Sequence, residues 1–227
     1  MNRAELAAMI DHTLLGPTAT SAGVKKLCAE AVELGVAAVC VDLRHAVLAR
    51  RELGKNAVKL CVVVGFPHGM TSSAVKAFEA AEAVAQGADE VDMVIPVGAL
   101  KEGDVDAVRA DVALVCKAAR GTGRTVAVKV ILETCLLTDE EKAAGAKAAV
   151  DGGADFVKTS TGFGSAGATA ADVALLRRVV GPRIGVKAAG GIRDTATALA
   201  MIEAGASRIG ASRTVAILDG LDAPAGR

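Results

Sequence analysis

Four apolar, strand-like runs of this 227-residue chain are each interrupted by one charged side chain: Asp92, Lys129, Lys158 and Lys187. A strand flanked by helical segments is buried on both faces, so an ammonium there carries a desolvation cost unless it is paired. That cost lowers an amine's pKa, and a lysine held neutral is a nucleophile that forms a Schiff base with a carbonyl. The sharpest case is Asp155-Phe156-Val157-Lys158-Thr159-Ser160-Thr161-Gly162-Phe163-Gly164. Here a short apolar strand ends in Lys158 and opens into hydroxyls and glycines suited to a phosphate or a polyol. Lys158 and Lys187 converging in an apolar site would each depress the other's pKa, leaving one charged and one free amine. Asp92 would pair with the charged lysine or move protons as a general acid/base. Taken alone, Lys158 reads better as a strand-end lysine whose ammonium reaches solvent. It is the four charged positions together that point to chemistry.

A second signal lies late in the chain. Gly190-Gly191-Ile192-Arg193 and Gly210-Ala211-Ser212-Arg213 follow the last two strand candidates. Barrels often bind phosphate there, through backbone N–H groups at a short helix N-terminus. Thr161, Gly162, Gly190, Gly191, Arg193, Gly210 and Ser212 are therefore substrate-binding candidates. Arg193 is balanced between a phosphate contact and a solvated first-turn arginine. Lys129 is also carried as a substrate-binding candidate, against a supporting ion network with Asp92 or Glu133. Cys40 has apolar neighbours and reads as pocket wall rather than nucleophile. His12, His45 and His68 show no partner spacing, so solvent or cap roles are expected of them. No His/Cys cluster has metal-ligand spacing, and no metal or other cofactor is expected.

The elements that must position these residues alternate regularly. The spacing predicts helices over residues 3–10, 20–34, 43–53, 71–86, 104–119, 138–150, 170–180, 195–204 and 211–218. Strands are expected over 11–14, 36–42, 58–65, 89–95, 125–132, 155–158, 184–188 and 207–210. Thr20, Thr71 or Ser72, and the Thr138/Glu141 capping box mark helix starts; Gly35 and Gly87 mark ends. Eight β-α units in this length favour a closed (β/α)8 TIM barrel, with residues 1–227 as one domain. No G-x-G-x-x-G follows the first strand, which tells against a dinucleotide fold.

Composition removes other classes. The formal net charge is zero with no basic run, so no footprint for nucleic acid or an anionic membrane is present. Four Phe with no Tyr or Trp cannot build a base-stacking platform. The five cysteines are odd in number and widely spaced, as expected of reduced thiols in a cytoplasmic protein. No signal-like start or membrane-length apolar run is expected to send the chain elsewhere.

Longer strings carry a family resemblance across nearly the whole chain. These are Asp11-His12-Thr13-Leu14, Val64-Gly65-Phe66-Pro67 with Lys76-Ala77-Phe78-Glu79, Val91-Asp92-Met93-Val94-Ile95, Lys129-Val130-Ile131-Leu132-Glu133-Thr134, Val157-Lys158-Thr159-Ser160-Thr161-Gly162 and Val186-Lys187-Ala188-Ala189-Gly190-Gly191-Ile192-Arg193. The chain resembles the deoxyribose-phosphate aldolases, class I aldolases of deoxynucleoside breakdown. The resemblance implies a barrel that reversibly cleaves 2-deoxy-D-ribose 5-phosphate to D-glyceraldehyde 3-phosphate and acetaldehyde, without metal. By the same resemblance, Lys158 matches the Schiff-base lysine, Lys187 the second lysine that lowers its pKa, and Asp92 the proton-moving aspartate. Gly162, Gly190, Gly191 and Ser212 match phosphate-contacting positions, and Thr13 and Cys40 match residues lining the substrate pocket. The implied partners are phosphosugar and aldehydes, with the chain acting as a homodimer or homotetramer.

Three departures from that pattern bear on function. The chain has no Tyr, where some members end in one implicated in proton transfer. Phe163 stands where some members have lysine, and Arg213 where a second serine often follows the first. These motivate a rival reading, a Schiff-base barrel acting on another aldehyde or phosphosugar. A non-catalytic sugar-phosphate sensor is the rival from a different class; the intact Lys158, Lys187 and Asp92 set argues against it.

Overall fold

The structure is a computed structural model that describes residues 1–121 and 123–222. Strand β1 (Ile10–Leu14) pairs in parallel with both β2 (Ala38–Val41) and β8 (Arg208–Ala211), which closes the sheet. Strands β3 (Lys59–Val64), β4 (Glu90–Val94), β5 (Ala127–Ile131), β6 (Phe156–Lys158) and β7 (Gly185–Ala189) complete an eight-stranded barrel in chain order. The expected (β/α)8 TIM barrel is the observed fold. A short helix α1 (Arg3–Ala7) precedes β1. It stops before Ile10 because that residue is already paired to β8.

Helices α2 (Ser21–Leu34), α3 (Ala46–Leu53) and α4 (Ser73–Ala85) follow the first three strands. After β4 come a five-residue helix α5 (Val97–Lys101), which the periodicity does not reveal, and α6 (Val105–Arg120). The remaining helices are α7 (Asp139–Asp151), α8 (Ala170–Val180), α9 (Thr195–Glu203) and α10 (Thr214–Asp222). Their starts are set by side-chain caps: Thr20, Ser72, Asp104, Thr138, Thr169 and Asp194 each accept a backbone N–H of the first turn. Each such cap contributes about 1 kcal/mol. The helix expected over 43–53 opens as a 3-10 turn, Leu43–His45, before becoming α-helical.

Two separate apolar regions result. A large layer of Val, Leu, Ile and Ala fills the space between strands and helices. Inside the barrel, a small cluster of Ala38, Cys40, Cys61 and Val63 from β2 and β3 fills one side. The opposite side of the interior is charged. Phe156 lies against Gly185, where an added Cβ would fall 2.1 Å from its ring, and the Arg208 guanidinium sits 5.6 Å over that ring. Side-chain alternation then carries Lys158, two residues on from Phe156 on the same face, toward the barrel mouth.

Candidate active site

Strand register gathers the charged residues. Asp92 is paired with Lys129 across β4–β5, Lys158 with Lys187 across β6–β7, and Lys187 with Arg208 across β7–β8. Parallel partners project to the same face, so the four anomalies of the sequence converge inside the barrel. Asp92 is their hub and is fully buried. Its Oδ2 accepts from Lys158 Nζ at 2.8 Å and Lys187 Nζ at 2.7 Å. Its Oδ1 accepts from Lys129 Nζ at 2.8 Å and from the Cys61 thiol at 3.1 Å.

Three further residues complete the cluster, and sequence reasoning gave none of them a role. Lys187 Nζ also donates to Asp11 Oδ2. Arg208 Nη1 bridges Asp11 Oδ1 at 2.6 Å and Glu90 Oε2 at 3.0 Å, while Lys129 lies 2.6 Å from Glu90. The signal was present as period-two spacing: Glu90 and Asp92 share a face of β4, as do Asp11 and the cavity-lining Thr13 of β1. What sequence lacks is the pairing across the barrel that gives these charges partners.

The cluster sets its own protonation. Burial pulls Asp92 upward, but Lys129, Lys158 and Lys187 outweigh it and hold the carboxyl well below the usual range. Asp11 is likewise opposed by burial yet lowered to about 2 by Lys187, Lys129 and Arg208. Burial would strip the proton from Lys187, but Asp11 and Asp92 prevail and raise its pKa. The expected mutual depression of two lysines is therefore corrected for Lys187: two adjacent carboxylates dominate over the like charge. Lys129 is raised in the same way, chiefly by Asp92 against its burial. The four buried or near-buried cations Lys129, Lys158, Lys187 and Arg208 face three carboxylates, Asp11, Glu90 and Asp92, an excess of one positive charge. Of the four, Lys158 alone lines the cavity described next.

That cavity, of about 300 Å³, opens at the C-terminal ends of the strands. Lys158, 2% exposed, reaches its floor. Thr13, Thr161, Gly162, Gly190, Gly191, Arg193, Gly210 and Ser212 all line it. Gly190 has φ +87°, and Gly167 passes so close that a Cβ there would lie 2.2 Å from the Gly190 carbonyl oxygen. The loop after β7 is thus built from bare backbone, which leaves its amides free of side-chain cover.

Not every candidate lies on the wall. Asp92 and Lys187 sit beneath the floor, touching the cavity through Lys158. Cys40, expected as pocket wall, is fully buried in the inner apolar cluster, opposite Cys61 in the β2–β3 register. Lys129 is fully buried too and belongs to the ion network rather than to the lining. Thr161 does lie on the wall, but its N–H and its hydroxyl are taken by the Glu133 carboxylate. Arg213 is outside the cavity, on a surface depression with His12 and Lys26. His12 overturns its solvent or cap reading: it is 4% exposed, with Nε2 3.0 Å from Glu30 and Nδ1 2.8 Å from Thr214. It ties β1 to α2 and α10. His45 is buried, while His68 is exposed.

Two groups of ligand-type side chains, Cys40-Cys61-Asp92 and Asp11-Cys61-Glu90, are close enough to share an ion. Neither fits one well, because the surrounding ammonium and guanidinium groups already occupy the carboxylates and repel a further cation. Among the described residues the cluster works as an internal salt.

Comparison with known proteins bears on this arrangement. Residues 6–220 match the family model described as DeoC/LacD family aldolase. The deoxyribose-phosphate aldolase of Carboxydothermus hydrogenoformans is 55% identical, over 96% of this chain and 95% of that protein. That of Thermococcus gammatolerans is also 55% identical, covering 95% and 96% of the two chains. Among solved structures, the tetrameric deoxyribose phosphate aldolase from Aeropyrum pernix superposes with a TM-score of 0.90 at 36% identity, over 96% of this chain and 92% of that one.

Proposed function

The chain belongs to the DeoC/LacD aldolase family, and from that premise we propose that Lys158 is its Schiff-base nucleophile, supported by Asp92 and Lys187. The protein is a class I aldolase that reversibly cleaves 2-deoxy-D-ribose 5-phosphate to D-glyceraldehyde 3-phosphate and acetaldehyde. The observation that carries the site assignment is a buried amine at the cavity floor, bonded to a carboxylate oxygen that it shares with a lysine held cationic.

The chemistry follows from those positions. The free amine of Lys158 adds to the C1 aldehyde of the open-chain sugar to give a carbinolamine, which loses water to form an iminium. The C3 hydroxyl then gives up its proton, the C2–C3 bond breaks, and its electron pair flows into the iminium. Glyceraldehyde 3-phosphate departs and leaves an enamine on Lys158. Protonation at C2 and hydrolysis release acetaldehyde and restore the amine. Asp92, kept ionised by its neighbours, accepts and returns protons through the atoms it already bonds. Lys187, kept as an ammonium, holds Asp92 in place beside the Lys158 amine.

The phosphate is read as lying over Gly162, Gly190, Gly191 and Ser212, at the loops after β6, β7 and β8, with Arg193 at the rim. The mouth beside it is apolar: Phe163 packs edge-on against Phe66 at 5.3 Å. This favours a rival aldehyde lacking the 5-phosphate, which turnover of deoxyribose with and without that group decides. The reading takes residues 1–227 as one barrel domain, of which 122 and 223–227 lie outside the described residues. A homo-oligomer is also inferred, supported by the exposed apolar Met70, Val75 and Phe78 on and before α4. A cytoplasmic setting is supported by five free cysteines. No helix among the described residues is long and apolar enough to cross a membrane.

Trapping tests the assignment directly. Borohydride with acetaldehyde reduces the iminium and leaves a two-carbon adduct on Lys158, and Lys158→Ala abolishes both adduct and turnover. An adduct on another lysine, or none with turnover intact, rejects it.

A further inference from the structure

We propose that Glu133 is a positioning residue whose buried carboxylate fixes the Thr161–Gly164 turn against the Lys158 cavity and so sets affinity for the phosphate end of the substrate. The inference rests on the aldolase reading above. Glu133 has φ +57°, the one positive φ outside glycine among the described residues. Such a conformation is unfavourable for a residue with a Cβ, and it persists where the surroundings require it. What Glu133 gains there is visible. Its carboxylate, in a side chain only 5% exposed as a residue, accepts from Thr161 N at 3.3 and 3.4 Å and from Thr161 Oγ1. Thr161 Oγ1 in turn accepts from Phe163 N at 3.0 Å.

The turn needs that support because it is thin. Thr161 and Phe163 line the Lys158 cavity on one side and, together with Glu133, a second cavity of about 350 Å³ on the other. With a cavity on each face, the turn is held by the Phe163–Phe66 ring contact and by the hydrogen bonds to Glu133. Gly164 lets the chain pass: a Cβ there would lie 3.2 Å from the Glu133 carboxyl carbon and 3.0 Å from Cys135 Sγ. Gly162, with φ +87°, sits between the two anchored residues and lines the cavity. Its placement therefore follows that of Thr161.

Two variants separate this role from a merely structural one. Glu133→Gly removes the carboxylate while relieving the backbone, since glycine is at ease at positive φ. Glu133→Gln keeps one oxygen acceptor. In Glu133→Gly, KM for deoxyribose 5-phosphate and the calorimetric Kd for inorganic phosphate are expected to rise about tenfold, the loss of about one hydrogen bond. The value of kcat and the KM for unphosphorylated deoxyribose stay within about twofold, Tm does not fall, and Glu133→Gln shows a smaller rise. An unchanged phosphate Kd, or equal losses with both sugars, overturns the proposal. Should the wild type fail to cleave deoxyribose 5-phosphate, the aldolase reading falls, and the phosphate titration still decides this role.

Discussion

Replacing Lys187 by Met tests whether the charge cluster governs the nucleophile. The substitution removes a cation of similar length and leaves no carboxylate alone: Asp11 keeps Arg208 and Lys129, and Asp92 keeps Lys129 and Lys158. The fold is expected to survive. Lys158 and Lys187 bond one oxygen at 2.8 and 2.7 Å, so at most about 5.5 Å separates their nitrogens. At an effective dielectric constant of about 20, two unit charges at that distance repel by about 3 kcal/mol, about a hundredfold in an equilibrium. Without Lys187 the three remaining cations, Lys129, Lys158 and Arg208, balance the three carboxylates, and this repulsion is gone. The variant is expected to lose about a hundredfold in kcat/KM at neutral pH and to regain much of it as pH rises. The assay is a pH series of deoxyribose 5-phosphate cleavage, coupled to glyceraldehyde 3-phosphate detection, with borohydride trapping in parallel. An acid limb that stays where it is in the wild type refutes the reasoning.

Two other predictions concern stability. Asp11 is lowered from 3.8 to about 2 on folding, so its contribution is fully present above the unfolded value and disappears as pH falls through the folded one. Urea unfolding should show a loss of about 2 kcal/mol from this group between about pH 4 and pH 2, with Asp92 and Glu90 adding to it; a flat profile contradicts the assignment. Lys76 is fully buried on α4 and donates to Asp111 at 2.8 Å and to the Val94 carbonyl at 2.9 Å. Lys76→Met strands the Asp111 carboxylate and should cost about 3–5 kcal/mol in chemical denaturation, most of it recovered by adding Asp111→Leu. A single mutant as stable as the wild type would show that the pair contributes nothing.

The barrel was legible because its signals are local. Continuous apolar runs, caps such as Thr20 and Thr138, and the stop at Gly35 place most elements to within a few residues. Helix α5 escaped because five residues span little more than one turn, too short for a period to show. Lys158, Lys187 and Asp92 stood out for the same local reason: a charge inside an apolar run breaks a pattern that can be read in one dimension. Asp11 and Arg208 did not, because each lies at the border of its run, where a charge looks solvated. His12 was misread because its partners, Glu30 and Thr214, come from other elements.

The sequence by itself determined the eightfold β-α order, the lysine-bearing strand ends and the glycine loops beside them. Each of these follows from patterns within about ten residues. The tertiary structure decided how charge is shared. Which lysine remains an ammonium, which carboxylate stays ionised and which amine faces the cavity depend on distances between β1, β4, β5, β6, β7 and β8. Those distances arise only on closing the barrel, where Coulomb interactions across a few ångströms of buried space outweigh every local propensity.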